Sequence, residues 1–256
     1  MADEKTTIRD AATVIVIRDR KTCPKVLMGQ RGAKAAFMPN KFVFPGGAVD
    51  PGDNQIQLFK KIQNPCFKRL EQDANPNIRH SICVAAIREL FEETGQILGS
   101  KGTWGSIMPS SWSQFASEGF LPDASKLQFV FRAITPPGRP RRFDARFFLT
   151  DASYLSTDQD DFSAASDELS HLQWVPLDQV RNFDLPFITE VVLAEVAELD
   201  RRLDRRLTVV ALGLEPFCRT RLQPVEHVVD ALEIEVIRAE ACRHRLVDAH
   251  VGRHQA

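Results

Sequence analysis

Glu89, Glu92 and Glu93 are the residues of this chain whose type and spacing best suit chemistry. Side chains three and four residues apart lie on one face of a helix, so a helix here would bring the three carboxylates together. Ionised carboxylates repel one another unless a cation neutralises them, and hard divalent cations such as Mg²⁺ bind a few carboxylates together with substrate phosphates. The spacing therefore predicts a metal-binding platform. The alternative is an acidic helix face in water, which is common for such runs.

A helix is predicted for the segment that carries these glutamates. Ile82, Ala86 and Leu90 repeat at helical spacing and form an apolar stripe. Asn75 is suited to cap the start of this helix, and Gly95 is placed to end it. The acidic residues would then lie on the last turns, between an apolar stripe and a terminating glycine.

The elements around this helix alternate between strands and helices. Apolar, β-branched runs predict strands at 11–18, 25–30, 42–44, 127–134, 142–150 and 170–175. Helical patterns are predicted at 55–63, 67–72, 109–118, 177–183 and 186–207. The third strand stops at Pro45-Gly46-Gly47, which predicts a tight turn. Such mixing of strands and helices predicts an α/β (α+β) fold, with a mixed β-sheet sandwiched between α-helices.

Two segments of the chain, Gly47 to Asp53 and Arg88 to Gly95, resemble the two halves of a Nudix box. The pattern of that family is Gly, five residues, Glu, seven residues, then Arg-Glu-apolar-x-Glu-Glu-x-Gly and an apolar residue. The second half is a specific signal because several spaced positions must coincide.

This chain departs from the Nudix pattern at three points. Asp53 stands where the family has Glu, and Gln96 stands where an apolar residue is usual. The 34 residues between Asp53 and Arg88 replace the usual seven, which implies an insertion at about 54–77. A longer surface loop costs little closure entropy. The resemblance extends over about 11–185, to a branch with an insertion in its box that includes the mammalian peroxisomal coenzyme A diphosphatase.

The resemblance implies a Nudix-type fold and hydrolysis of a diphosphate bond in a nucleoside diphosphate linked to another moiety. It implies Mg²⁺ or Mn²⁺ as cofactor, held by four residues: Gly47, Glu89, Glu92 and Glu93. Catalytic roles are implied for Glu89, Glu93, Arg88 and Glu168, with Arg88 orienting a carboxylate of the box. The general base is open between Glu89 and a carboxylate from elsewhere in the chain. Glu168 resembles a further catalytic carboxylate of some family members, or is a loop carboxylate in water.

Three arginines are candidates for binding substrate phosphates, because the planar guanidinium suits phosphate recognition. Arg139 and Arg141 lie in a predicted turn, where they could meet the 3′-phosphate of coenzyme A or could be plain surface charge. Arg31 partly fits the coenzyme A-type Nudix signature. Ala36 and Asn40 occupy the places of the second Arg and the Gly of that signature.

Composition predicts a single ordinary domain and a small-molecule partner. The 256 residues carry a net charge of −1, which gives no general case for nucleic-acid or membrane binding. We expect a cytoplasmic protein with one Nudix domain at 1–207 and a C-terminal extension of unknown role at 208–256. Two roles are open for the insertion: a cap over the cleft, or a contact with a second subunit in a homodimer.

Two other functions compete with hydrolysis of coenzyme A or acyl-coenzyme A. The first is hydrolysis of ADP-ribose, a dinucleotide or another nucleotide, because the box handles diphosphate and metal and does not choose the substrate. The second is a non-catalytic Nudix-like domain that binds a nucleotide as a sensor. The presence of all three box glutamates argues against the second.

Overall fold

The computed structural model describes residues 7–35, 38–72, 74–75, 77–105, 109–208 and 236–238. Within them the strands are β1 Ile8–Arg18, β2 Lys25–Arg31, β3 Phe42–Val43, β4 Gly46–Ala48, β5 Gly99–Lys101, β6 Phe120–Pro122, β7 Gln128–Ile134, β8 Arg142–Asp151, β9 Leu169–Pro176 and β10 Val236–Arg238. The helices are α1 Cys66–Arg69, α2 Ile78–Thr94, α3 Ser113–Ser117 and α4 Phe187–Thr208.

A mixed sheet of eight described strands is built around β1. The strand order is β10-β7-β8-β1-β2-β3, with β4 also paired to β1 and β9 to β2. Strands β1 and β8 run parallel from Ile8 opposite Arg142 to Ile17 opposite Asp151, and the other pairs are antiparallel. Strands β5 and β6 form a separate antiparallel pair.

Both faces of β1 are buried, which explains its nearly continuous run of apolar residues. Val14 and Val16 belong to the core cluster that includes the buried face of α2. Ile15 and Ile17 belong to the cluster that includes Val192 of α4. Because successive strand residues point to opposite faces, one strand supplies both cores. The predicted α+β class, a mixed sheet between helices, is therefore confirmed.

Helix α2 is buried around almost its whole circumference. One side packs on the sheet, and the other is covered by apolar residues of 54–77 and by Trp112 and Phe115. Gly95 ends the helix in the left-handed conformation (φ 74°), as the sequence predicts. Asn77 is the N-cap, two residues after the predicted Asn75.

The prediction of a helix at 55–63 is wrong, and the helix predicted at 67–72 is the short α1 instead. The backbone groups of the first segment bond to another part of the chain. The amide of Phe59 donates to the carbonyl of Pro122 (2.8 Å), and the carbonyl of Lys60 accepts from Ala124 (2.9 Å). These tertiary bonds satisfy the backbone without a helix. Ile56 and Ile62 meanwhile reach the core.

The other predicted elements agree with the structure in most cases. Strands β1, β2, β7, β8 and β9 and helix α4 correspond to predicted segments, whereas 177–183 contains only one 3-10 turn at Val180–Asn182. The proposed extension at 208–256 lies outside the described residues, apart from Thr208 and β10. No described helix is long and apolar enough to cross a membrane.

Candidate active site

Strand β4 places a glycine turn directly against the acidic end of α2. Gly46 pairs with Thr13 and Gly47 with Ala12 on β1. The amide of Gly46 donates to Glu93 Oε2 at 2.7 Å. A β-carbon on Gly46 would lie 2.7 Å from Thr13 Cα, so the close approach of β4 to β1 requires glycine.

The two halves of the box meet through a bidentate ion pair between Arg88 and Asp53. Arg88 Nε donates to Asp53 Oδ1 at 3.0 Å, and Nη2 donates to Oδ2 at 3.2 Å. Asp53 is only 1% exposed and also accepts from the amide of Asp50 at 2.8 Å. Asp53 therefore pairs with Arg88 although its side chain is one methylene shorter than the Glu of the Nudix pattern and although 34 residues separate the two.

Arg88 joins three carboxylates at the centre of the site. Its Nη1 donates to Glu89 Oε1 (2.8 Å) and Glu92 Oε2 (3.0 Å), and Nη2 donates to the Ala48 carbonyl (2.9 Å). With the two bonds to Asp53, every N–H of the guanidinium has an acceptor. Burial opposes the charge on Arg88, but Asp53 and the neighbouring glutamates outweigh it and raise the pKa of Arg88.

The three glutamates are hard to ionise where they lie. Burial raises the pKa of Glu89 to about 7, against the opposing effect of Arg88, and the charges of Glu92 and Glu168 add to the rise. Burial also raises the pKa of Glu92. The pKa of Glu93 is raised well above its usual value by burial, although the bond from Gly46 lowers it. Without a compensating cation, the surroundings therefore favour the protonated form of each glutamate more than water does.

One carboxylate oxygen in this cluster lacks a partner. Glu93 is 1% exposed, and its Oε1 has no hydrogen bond within the part of the chain that the structure describes. The nearest cationic group is Arg31 Nη2 at 3.9 Å, beyond hydrogen-bond distance. A buried unpaired carboxylate oxygen is costly. A divalent cation with oxygen ligands would remove that cost, so these residues fit Mg²⁺ or Mn²⁺.

The carboxylates are not preassembled around a single point. Across the described ranges, no group of three His, Cys, Asp or Glu side chains is arranged to hold a metal ion. Glu89 and Glu92 are instead turned towards Arg88. A bound cation would have to compete with Arg88 for their oxygens, whereas Glu93 Oε1 has no hydrogen bond to a described residue that a cation would need to displace.

Two further residues predicted for the site lie near Glu93. Arg31, at the end of β2, is the cation 3.9 Å from Glu93 Oε1. Glu168 is exposed and precedes β9, and its charge contributes to the raised pKa values of both Glu89 and Glu93. Both residues thus lie near the carboxylate cluster, and their roles in binding and catalysis stay predictions.

Arg139 and Arg141 lie away from these contacts. Both are exposed in the turn between β7 and β8. Arg146 and Arg142, by contrast, have structural partners: Arg146 pairs with Asp10, and Arg142 Nε donates to the Thr135 carbonyl at 3.0 Å. Of these four arginines, only Arg139 and Arg141 are exposed to a ligand.

Gln96 is a feature of the site whose role sequence reasoning missed. It is fully buried and bonds to three residues of one loop: Thr157, Asp158 and Asp161. The only signal was a polar residue where the Nudix pattern has an apolar one, and the pattern itself does not say what that residue would bind.

The variant Gly47→Ala tests how precisely the carboxylate of Glu89 must be positioned for activity. A β-carbon there would lie 2.5 Å from Glu89 Cδ, so Gly47→Ala must displace that carboxylate. We expect a fall of about 10-fold or more in kcat/KM for a metal-dependent reaction, because small displacements of reacting groups are costly. The melting temperature should change little, since a flexible side chain can move. Gly52→Ala is the matched control because nothing lies within 4 Å of its β-carbon. Equal activities for the two variants would contradict the expectation.

Comparison with known proteins shows similarity to Nudix hydrolases. A Nudix hydrolase from Alicyclobacillus acidocaldarius has a TM-score of 0.57 and 29% sequence identity, and the match covers 75% of this chain and 92% of that protein. A Caenorhabditis elegans protein named nudix hydrolase 7 is 30% identical over 179 residues, which is 65% of this chain and 51% of that protein. The chain has the Nudix fold, and its sequence is similar to those of Nudix hydrolases.

A further relative bears on the branch of that family. Acyl-coenzyme A diphosphatase from Xenopus laevis is 29% identical over 85 residues, which is 33% of this chain and 20% of that protein. The chain spans about half the length of the first of these curated relatives and a fifth of the second. No protein-family model matches the chain.

Proposed function

We propose that this protein is a divalent-metal-dependent hydrolase that cleaves a diphosphate bond in a nucleoside diphosphate linked to another moiety. The observation that carries the proposal is the buried Oε1 of Glu93, beside Glu89 and Glu92 on α2, which accepts no hydrogen bond from the residues that the structure describes. A buried excess of carboxylate is the expected arrangement where a divalent cation and a phosphate group bind together. The similarity to Nudix hydrolases supports the same conclusion.

The proposed metal ligands are carboxylates of α2 and one backbone carbonyl of β4. Glu93, Glu89, Glu92 and the carbonyl of Gly47 would hold Mg²⁺ or Mn²⁺. When bound, the metal would neutralise the diphosphate and make an attacking water more acidic. Arg88 acts as a positioning residue, because its guanidinium holds Glu89 and Glu92 in place.

The other residues account for proton transfer and substrate orientation. A water oxygen would attack one phosphorus, the bridging phosphoanhydride bond would break, and the second phosphate would leave. The proton of that water would pass to a carboxylate, for which Glu89 and Glu168 are the two candidates. Arg31, next to Glu93, would bind a phosphate oxygen of the substrate.

Coenzyme A or an acyl-coenzyme A is the substrate that we favour. The partial similarity to acyl-coenzyme A diphosphatase supports this choice. Arg139 and Arg141 support it as well, because both are exposed on one turn and the 3′-phosphate of coenzyme A is a suitable ligand for an arginine pair. ADP-ribose and dinucleotides are the competing substrates.

The test is a panel of diphosphate compounds incubated with Mg²⁺ or Mn²⁺ and analysed by mass. The panel holds coenzyme A, acyl-coenzyme A, ADP-ribose, NADH, diadenosine polyphosphates and nucleoside triphosphates. We expect coenzyme A to yield an adenosine bisphosphate and a phosphopantetheine. The double variant Arg139→Gln/Arg141→Gln should raise KM for coenzyme A but not for coenzyme A without its 3′-phosphate. Cleavage of another compound alone would refute the substrate, and metal-independence or no cleavage in folded protein would refute the activity.

A further inference from the structure

We propose that Gln96 is a positioning residue that sets the place of Glu168 at the carboxylate cluster by holding one loop against the end of α2. This inference rests on the proposed function, in which Glu168 acts at the reacting centre. The tethered loop is defined here as residues 156–168, which connect the region after β8 to β9.

The side chain of Gln96 uses both ends of its amide on the tethered loop. It is 0% exposed. Its Nε2 donates to the carbonyls of Asp158 (3.0 Å) and Asp161 (2.8 Å), and its Oε1 accepts from Thr157 Oγ1 (2.7 Å). A buried amide with both donors and the acceptor engaged defines one geometry for the segment that it binds.

Further contacts hold the part of the tethered loop between Gln96's partners and Glu168 against the end of α2. Ala164 packs on the end of α2, since a β-carbon on Gly95 would lie 3.1 Å from Ala164 Cβ. The amide of Ser166 donates to the carbonyl of Glu92 at 2.8 Å. Glu168 follows two residues later, and its charge acts on Glu89 and Glu93. The same helix end therefore supplies the glutamates and the support for the loop that carries Glu168.

A second set of contacts holds the outer part of the loop to the sheet. Trp174 Nε1 donates to the carbonyl of Gln159 at 3.0 Å, and Arg18 Nη1 donates to Asp160 Oδ1 at 2.7 Å. The guanidinium of Arg18 also stacks over the ring of Trp174 at 4.3 Å. These contacts keep the loop attached when Gln96 is changed, so loss of the tether should alter its position without detaching it.

The amide is needed for position rather than for folding. An apolar side chain at 96 would fill the buried space but would leave the carbonyls of Asp158 and Asp161 without their donor. Both residues are exposed, so the loop can shift and let water bond to those carbonyls. Such a shift would remove the fixed geometry of Glu168, which is the geometry that general acid–base chemistry needs.

The experiment is a double-mutant cycle of Gln96→Leu and Glu168→Gln in the full chain, with kcat and KM measured on the best substrate of the panel. Gln96→Leu should lower kcat by on the order of 10-fold with KM nearly unchanged. In the Glu168→Gln background it should cause no further loss, because the residue through which it acts is already gone. Thr157→Val should act in the same direction, since it removes the hydroxyl that donates to Gln96 Oε1 and accepts from the amide of Ile97. Gln63→Leu, at an exposed glutamine outside the loop, is the matched control and should leave kcat unchanged.

Hydrogen exchange of the Ser166 amide gives a readout that does not need turnover. Gln96→Leu should speed its exchange and leave amides in the middle of α2 protected. Multiplicative losses in the cycle, an effect on KM alone, or unchanged exchange would each overturn the inference. If the wild-type protein cleaves nothing, the proposed function fails, and the exchange measurement then shows separately whether Gln96 holds the loop.

Discussion

Glu93→Gln is expected to lower kcat by about three orders of magnitude while leaving the fold intact. A carboxylate that binds a catalytic metal contributes to several kcal/mol of transition-state stabilisation, and each tenfold in rate corresponds to about 1.4 kcal/mol. Glutamine has the same shape and can still accept the bond from the Gly46 amide. It lacks the charge on Oε1, the atom that accepts no hydrogen bond in the described part of the chain. Steady-state kinetics at saturating metal and substrate measure the loss.

The same variant tests metal binding through stability. Mg²⁺ or Mn²⁺ should raise the melting temperature of the wild-type protein, because a ligand that binds only the native state stabilises it. It should raise that of Glu93→Gln much less. Without metal, Glu93→Gln should be at least as stable as wild type, since it removes a buried charge that is poorly compensated. Glu118→Gln, at an exposed glutamate after α3, is the control and should behave as wild type. An equal metal-induced shift in both variants would contradict the assignment of Glu93 as a ligand.

Arg88→Met is expected to lower the free energy of unfolding by about 3–5 kcal/mol, because breaking a buried ion pair leaves uncompensated charge. Asp53 is 1% exposed and would lose both bonds of its bidentate pair. Glu89 and Glu92 would lose the cation that separates them. Urea unfolding without metal measures the change, and activity should fall with it because the glutamates lose their orientation.

Two other variants serve as comparisons for the stability of Arg88→Met. Arg88→Lys keeps the charge but not the planar fork, so its stability should lie between those of wild type and Arg88→Met. Arg181→Met removes an exposed arginine and should change stability by no more than about 0.5 kcal/mol. If Arg88→Met cost no more than Arg181→Met, the two halves of the box would not depend on this arginine.

Local patterns were sufficient for the main elements of the sheet and for α2. The run of apolar, β-branched residues in β1, which is buried on both faces, and the stripe of Ile82, Ala86 and Leu90 at helical spacing both predict the observed elements. These patterns are properties of neighbouring residues, so they are readable before folding. The spacing that places Glu89, Glu92 and Glu93 on one face of α2 is likewise a local property of the sequence.

The insertion shows where local pattern failed. The local pattern of the segment predicts a helix at 55–63, but no helix forms there, and its apolar residues Ile56 and Ile62 reach the core instead. The bonds that replace a helix run to Pro122 and Ala124, more than 60 residues away in sequence. Neither partner is visible from the composition of the segment, because propensity yields to tertiary contacts.

By itself the sequence determined which side chains could do chemistry: three glutamates at helical spacing, a glycine turn and an arginine beside them. Only the tertiary structure decided how these groups meet. It joined Arg88 to Asp53 across 34 residues, buried Glu93 Oε1 with no hydrogen bond from any described residue, and turned Gln96 towards a loop beyond β8. The reason is physical: hydrogen-bond partners and desolvation depend on which distant segments pack together, and a linear pattern does not contain that packing.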